Sequence, residues 1–350
     1  MDKDLDLAKK HWDEFAAKLA GRRTGLFWWE VPEVMREINR RISGDGEVGW
    51  IEYTARKHVR DLPVERCLSL GCGTGDSERV LARMGAFREC DAFDLSAVAI
   101  EKAKEAARLE GFSNINYSEA DINSIRLAKN AYDAIWLYGA MHHFKNLEHI
   151  ATQIQSALKP NGIVALNEYV GPARFQFPER QKEIVNLCLQ LFPTRYKRMS
   201  AEVLQLESER VARTGQDRGF LSKIAKLKSK LHSSSGAPVD VVGQSAAPSE
   251  VIKNTAGFPA RSEVVADDPS ESVRSDEILE IIVRYFDVVE KKEWGGNICQ
   301  FLLAGIADNF TDEDSCSQLL IRMIWKIEDT LLACGELKSD FAYVVARRRR

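Results

Sequence analysis

Short apolar runs and amphipathic stretches take turns along the middle of this chain. Val64 to Leu70 is a compact apolar run that reads as a buried strand, and Asp76 to Met84 behind it has helical spacing. The pattern then gives a strand ending at Asp94, a helix over Ala97 to Leu109, and strands over Ile115 to Ser118 and Tyr132 to Tyr138. A helix from Leu147 to Leu158 stops at Lys159-Pro-Asn-Gly162, where proline and glycine cannot continue it, and Ile163 to Asn167 reads as a fifth strand. On the N-terminal side, Asp4 to Leu19 and Val34 to Ile42 have helical patterns flanking an aromatic cluster, Phe27-Trp-Trp29. On the C-terminal side, Ile184, Leu187, Cys188 and Leu191 share one helix face. Thr194 to Lys230 is basic, and Ser233 to Pro269, rich in Ser, Ala, Pro and Gly, is expected to be flexible. Order resumes at Ser275, a helix cap; Phe286 to Lys292 and Asp340 to Ala346 read as strands around a long helix carrying Cys316 to Leu331.

Between the first strand and its helix stand three alternating glycines, Gly71, Gly73 and Gly75. Such a turn lets the backbone bend sharply and a ligand come close. The dinucleotide fingerprint is G-x-G-x-x-G, with a helix N-terminus receiving a pyrophosphate. Here the spacing is G-x-G-x-G and the helix opens on Asp76, whose carboxylate suits the helix dipole and would repel a pyrophosphate. A ligand without phosphates is the expectation. Asp94 and Asp121 are acids at successive strand ends, and an acid ending the second strand can accept a ribose diol.

Strand, glycine turn, helix, strand–Asp, helix, strand–Asp, strand–His-His, helix, Lys-Pro-Asn-Gly, strand: over residues 60 to 170 this order resembles the class I S-adenosylmethionine-dependent methyltransferases. The resemblance implies an α/β fold with a seven-stranded, mostly parallel, doubly wound sheet whose last strand is antiparallel. It implies a helical lid over residues 1–60, a cofactor-binding core over 61–170, an insertion over 171–280 (233–269 flexible) and completion of the sheet over 281–350. It also implies S-adenosyl-L-methionine as cofactor. The turn Gly71, Cys72, Gly73, Thr74 and Gly75 would face its amino-acid part, Asp94 with Leu95 the ribose, and Asp121 with Ile122 the adenine, with Tyr138 completing the site. The family places an acid two residues before the first glycine; this chain has Ser69 there, so the methionyl ammonium needs another acceptor.

Methyl transfer from a sulfonium requires a nucleophile held in line in a water-poor pocket, and a hydroxyl nucleophile also benefits from a base. His142, His143 and Glu168, at the ends of the fourth and fifth strands, are the candidate catalytic groups, one histidine being expected at the substrate and the other in a structural role. Trp28, Trp29, Tyr169 and Arg174 are candidate substrate contacts, and no metal ligand set is expected. The chain lacks the Asn/Asp-Pro-Pro-aromatic motif of amino-methylating nucleic-acid enzymes and the Pro-Cys dipeptide of cytosine-C5 enzymes.

At 350 residues and net charge −3, the chain offers no general attraction for nucleic acid, and Arg347 to Arg350 is expected to be a solvated tail. O-methylation of a small molecule, a sugar or a carrier-bound glycan is the expected reaction. Seven scattered cysteines suit a reducing cytoplasm, and no apolar run reaches the length of a membrane span. Two other readings stand beside this one. A nicotinamide-dependent oxidoreductase is opposed by the glycine spacing and Asp76. A non-catalytic methyltransferase-like scaffold is motivated by Ser69 and the long insertion.

Overall fold

The computed structural model describes residues 3–19, 27–199, 204 and 251–349. Seven strands form one sheet: β1 (Val64–Leu70), β2 (Phe87–Asp94), β3 (Ile115–Glu119), β4 (Tyr132–Tyr138), β5 (Leu158–Tyr169), β6 (Phe286–Gly295) and β7 (Phe341–Arg348). Their order is β3-β2-β1-β4-β5-β7-β6, with β7 antiparallel to both neighbours and the other pairings parallel. The expected sheet is therefore the observed one. After β3 the chain returns across β1 to lay down β4, so the switch point lies between β1 and β4, where open sheets leave a crevice at the strand ends.

The central strands are apolar on both sides because helices cover both faces. Leu68, Leu70, Ile135, Leu137, Val164 and Leu166 pack on α6 (Leu147–Ala157) and on the helix Ile278–Tyr285. Cys67, Trp136, Ala165 and Tyr343 face the opposite layer, built from α2 (Pro32–Ser43), α3 (Trp50–His58), α4 (Asp76–Arg83), α7 (Glu179–Gln190) and the helix Ser315–Ala333. α5 (Ala97–Leu109) packs Ile100, Ala103 and Ala107 against Ala92 and Tyr117. The first helix, α1 (Lys3–Leu19), rests on α5: Asp13 accepts the Ser96 hydroxyl (2.6 Å) and the Val98 amide (3.2 Å), and Lys102 donates to the Ala17 carbonyl (3.3 Å).

Three expectations need correction. The strand after α6 begins before the Lys-Pro-Asn-Gly stretch: Leu158 already pairs with Tyr132, and the ladder resumes at Ala134–Ile163 with Lys159 to Gly162 bulging between. The described end of the segment read as flexible, residues 251–269, is packed. Ile252 bridges Arg198, and Phe258 lies 4.7 Å from Phe301 ring to ring. The buried Lys253 ammonium donates to the carbonyls of Phe301, Leu302 and Ala304, and a helix spans Arg261–Asp267. A polar composition concealed one apolar anchor and one cation that caps a helix end. Residues 233–250, like 205–230 of the basic stretch, lie outside the described residues. Finally, β7 runs through Arg348, and Arg349 pairs with Asp287 (3.3 Å), so the arginines up to 349 belong to the sheet and its edge rather than to a solvated tail. Arg350 lies outside the described residues.

Candidate functional site

A cavity of about 570 Å³ opens at the switch point, lined from the β1–α4 turn, the ends of β2 and β4, the segment after β3, helix α1 and the loop Pro269–Val273. The three glycines of its turn all have positive φ, but for different purposes. A Cβ on Gly71 would stand 2.4 Å from the Ala140 Cβ, and one on Gly75 would stand 2.4 Å from the Tyr117 hydroxyl. At Gly73 a Cβ would meet nothing within 4 Å. Gly71 and Gly75 are thus required by packing, while Gly73 leaves open space.

Four of the five amides of this turn, all but that of Thr74, are engaged within the protein. Gly71 and Cys72 donate to the Phe93 carbonyl (2.8 and 3.1 Å), Gly75 donates to the Cys72 carbonyl (2.9 Å), and Gly73 donates to Asp94 Oδ2 (2.8 Å). Arg79 fixes the outside of the turn, donating to the Thr74 carbonyl (2.7 Å), Glu110 (2.8 Å) and Asp76 (2.5 Å). A turn with most of its amides engaged and an acid at the helix start is unsuited to a pyrophosphate. Asp94 also accepts the Ser96 amide on Oδ1 (2.9 Å), so each oxygen keeps a lone pair for a ligand hydroxyl. Burial raises its carboxyl above the usual range, opposed by those same amides. Asp121 caps its own turn through Asn123 and Ser124, and with Leu95 and Ile122 it lines the cavity.

A second cluster of polar groups stands at the ends of β4 and β5. Glu168, fully buried, accepts the amides of Ala140 (2.9 Å), Met141 (2.6 Å) and Tyr169 (2.9 Å) and also holds Nδ1 of His142. His142 and Glu168 do not line the cavity; His143 does. Its Nδ1 lies 3.2 Å from the Ser270 hydroxyl, which itself donates to Asp268 (2.7 Å), so Nδ1 carries the proton and Nε2 is the ring atom able to exchange one. Burial disfavours the His143 cation, yet Glu271 and Asp268 outweigh it and hold the imidazolium up to about 9. His142, His143 and Glu271 bring one donor atom each within 4.8 Å of one another, a grouping able to hold a cation, and His142 Nε2 already pairs with Glu271 at 3.6 Å.

Among the substrate candidates, the cavity takes in Arg174 and leaves out the others. Arg174 has φ 56° and joins the two ends of the insertion, donating through Nη1 to the carbonyls of Pro269 (2.7 Å) and Glu271 (3.0 Å). Trp28 is buried against Trp294 and Phe341, Trp29 is 42% exposed on Phe27, and the Tyr169 hydroxyl donates to the Pro172 carbonyl (3.0 Å). The aromatic walls are instead Trp12, Phe15, Trp50, Trp136, Tyr138 and Phe144. Trp12 meets His143 edge-on at 4.8 Å, and Trp50 lies 5.5 Å from Tyr138. Trp12 and Trp50 lie on helix faces whose sequence spacing equally fits plain core packing. Glu78, a cavity residue unmarked in the sequence, looks there like an ordinary first-turn acid of α4.

Known proteins resemble this chain over its central part. A family model described as a methyltransferase domain matches residues 63–211. A 2-phytyl-1,4-naphtoquinone methyltransferase from Nostoc is 28% identical over 149 residues, 42% of this chain and 65% of that protein. A sterol 24-C-methyltransferase from Saccharomyces cerevisiae is 29% identical over 120 residues, 33% of this chain and 30% of that protein. The chain thus spans less than two thirds of these relatives' lengths. The structure of geranyl diphosphate C-methyltransferase from Streptomyces coelicolor aligns with 99% of this chain and 98% of its own at 11% identity and a TM-score of 0.47. Residues 63–211, which hold the glycine turn and the strands β1 to β5, therefore match a methyltransferase domain.

Proposed function

We propose that the chain transfers the methyl group of S-adenosylmethionine to an oxygen of a small molecule. The observation that carries this reading is the placement of His143 on the wall of the cavity that the glycine turn also lines, with Ser270, Asp268 and Glu271 beside it. In this reading the space beside Gly73 receives the amino-acid part of the cofactor with Cys72 and Thr74, Asp94 and Leu95 take the ribose, and Asp121 and Ile122 take the adenine. The cofactor supplies an electrophilic methyl group on a good leaving sulfur. The protein's part is to exclude water, align the nucleophile and hold its proton. Helix α1 acts as the lid, since Trp12 and Phe15 roof the cavity. Arg174 and Lys145 at the rim suit an acceptor with a polar or anionic group, a sugar or a carrier-bound glycan included. Glu168 and His142 position the β4 end rather than touch substrate.

No helix among the described residues is long and apolar enough to cross a membrane. The free cysteines support a cytoplasmic setting, and the net charge of −3 argues against nucleic acid as acceptor. Carbon is the second reading, motivated by the sterol 24-C-methyltransferase among the relatives.

Incubation with methyl-labelled cofactor and cell-extract fractions, followed by mass spectrometry and carbon NMR of labelled products, tests the proposal. An O-methyl signal on a small molecule or glycan is expected. A C-methyl signal would favour the second reading, and label on RNA or DNA would overturn the acceptor class. Binding of S-adenosylhomocysteine without any labelled product would favour a scaffold.

A further inference from the structure

Glu78 is the third residue of α4, and its side chain turns inward beneath the glycine turn, where it is 0% exposed and lines the cavity. Neither carboxylate oxygen has a hydrogen-bond partner. The neighbouring cation does not serve it: Arg79 is committed to Asp76, Glu110 and the Thr74 carbonyl. Burial pushes the Glu78 carboxyl up to about 7, and the nearby Ser69 hydroxyl, which does not reach it with hydrogen-bond geometry, offsets only part of that rise. An isolated buried carboxylate is costly, and such groups are kept where a partner charge arrives.

The partner is defined by what is missing nearby. The family acid two residues before the first glycine is replaced here by Ser69, which lines the same cavity as Glu78. Three of the turn's carbonyls are poor substitutes, since those of Cys72, Thr74 and Gly75 already accept from Gly75, Arg79 and the Tyr117 hydroxyl. We propose that Glu78 is the acceptor for a primary ammonium group of the bound ligand, the methionyl ammonium of S-adenosylmethionine, in place of the acid absent at Ser69. The inference rests on the cofactor placement proposed above. It makes Glu78 a ligand-binding residue that reaches the turn from the following helix instead of from β1.

Calorimetry with the full chain and three ligands tests it: S-adenosylhomocysteine, its analogue lacking the α-amino group, and 5′-methylthioadenosine, which lacks the amino-acid part altogether. The wild-type chain is expected to bind S-adenosylhomocysteine about 30-fold or more tighter than the desamino analogue, the range for removing one partner of a buried charge pair. In Glu78→Gln the two ligands should bind alike, with 5′-methylthioadenosine affinity unchanged. Ser69→Asp added to Glu78→Gln should restore part of the preference. Equal wild-type affinity for the first two ligands would overturn the proposal, and this arm needs no variant to fold. A Glu78→Gln chain that loses affinity for all three ligands alike, or for none, would overturn it too. If the wild-type chain binds none of the three, the cofactor reading itself fails, and the assignment with it.

Discussion

Glu168 grips His142 from the adjacent strand, its Oε1 on the ring Nδ1 while its Oε2 accepts the amides of Ala140 and Met141. One carboxylate therefore sets both the backbone of the turn after β4 and the ring orientation of its first histidine. Glu168→Gln turns one of the two oxygens into an NH2 group, and whichever way the amide faces at least one buried backbone N–H is left unpaired. A loss of about 2 kcal/mol in urea unfolding is expected. His142→Gln, which leaves those amides bonded, should cost less. Equal losses in the two variants would show that the backbone bonds do not carry the effect.

The glycines separate stability from binding. Gly71→Ala drives a Cβ into Ala140 at 2.4 Å and should destabilise the fold by about 2 kcal/mol or more. Gly73→Ala meets no such contact and bears only the left-handed backbone cost, about 1 kcal/mol. It should stay folded yet lose about tenfold or more in S-adenosylhomocysteine affinity, because the new methyl stands in the space proposed for the ligand. Thermal melting and calorimetry on the two variants read this directly.

Aromatic residues near the N-terminus divide by position. Trp12→Ala removes the edge-on partner of His143 and part of the cavity roof, and should raise KM for the acceptor severalfold. Trp29→Ala, on the outer surface against Phe27, should leave KM unchanged. Steady-state kinetics with an acceptor found by label transfer makes the comparison. A KM rise confined to Trp29→Ala would relocate the acceptor.

Protonation of His143 sets a pH dependence with two readouts. Burial opposes its cation, but Glu271 and Asp268 raise it from 6.5 to about 9. A base that must be neutral to accept a proton predicts transfer rates that climb with pH and level off near 9; in His143→Gln this limb should vanish, with a rate lower by about 10²–10⁴. The raised value also contributes stability that is fully present below 6.5 and lost as pH rises through about 9, about 3 kcal/mol in all. Urea unfolding of the wild-type chain and His143→Gln at the two ends of that window should therefore differ most at the acidic end. A flat rate profile across the same window would remove His143 from the proton path.

What could be read from sequence was whatever depends on neighbours along the chain. Periodicity located the strands and long helices, and spacing located Gly71 to Gly75, Asp94 and Asp121, because a turn and the strand ends beside it are local objects. Direction was harder. Trp28 and Trp29 are adjacent, and nothing in their order says that one enters the core and the other faces outward, or that Trp12 and Trp50 take the cavity. Glu78 resembles any acid in a first helical turn; only the serine at position 69, read together with it, hints that a carboxylate has moved. Lys253 and Phe258 sit in a polar stretch whose composition suggested flexibility, yet three carbonyls and two phenylalanine rings hold them.

The cavity wall is assembled from segments far apart in the chain. Residues 69–146 carry the glycine turn, Asp94, Asp121 and His143, whereas Arg174 and the loop Pro269–Val273 come from the segment between β5 and β6; Arg174 ties the two ends of that segment together, and Val273 N–H on the His142 carbonyl (3.1 Å) joins it to the β4 end. The segment between β5 and β6 is consequently a part of the wall that can vary without altering the glycine turn or the acids that follow β2 and β3. Exchanging residues 171–274 between relatives of this architecture should retarget the enzyme while its methyl donor stays the same.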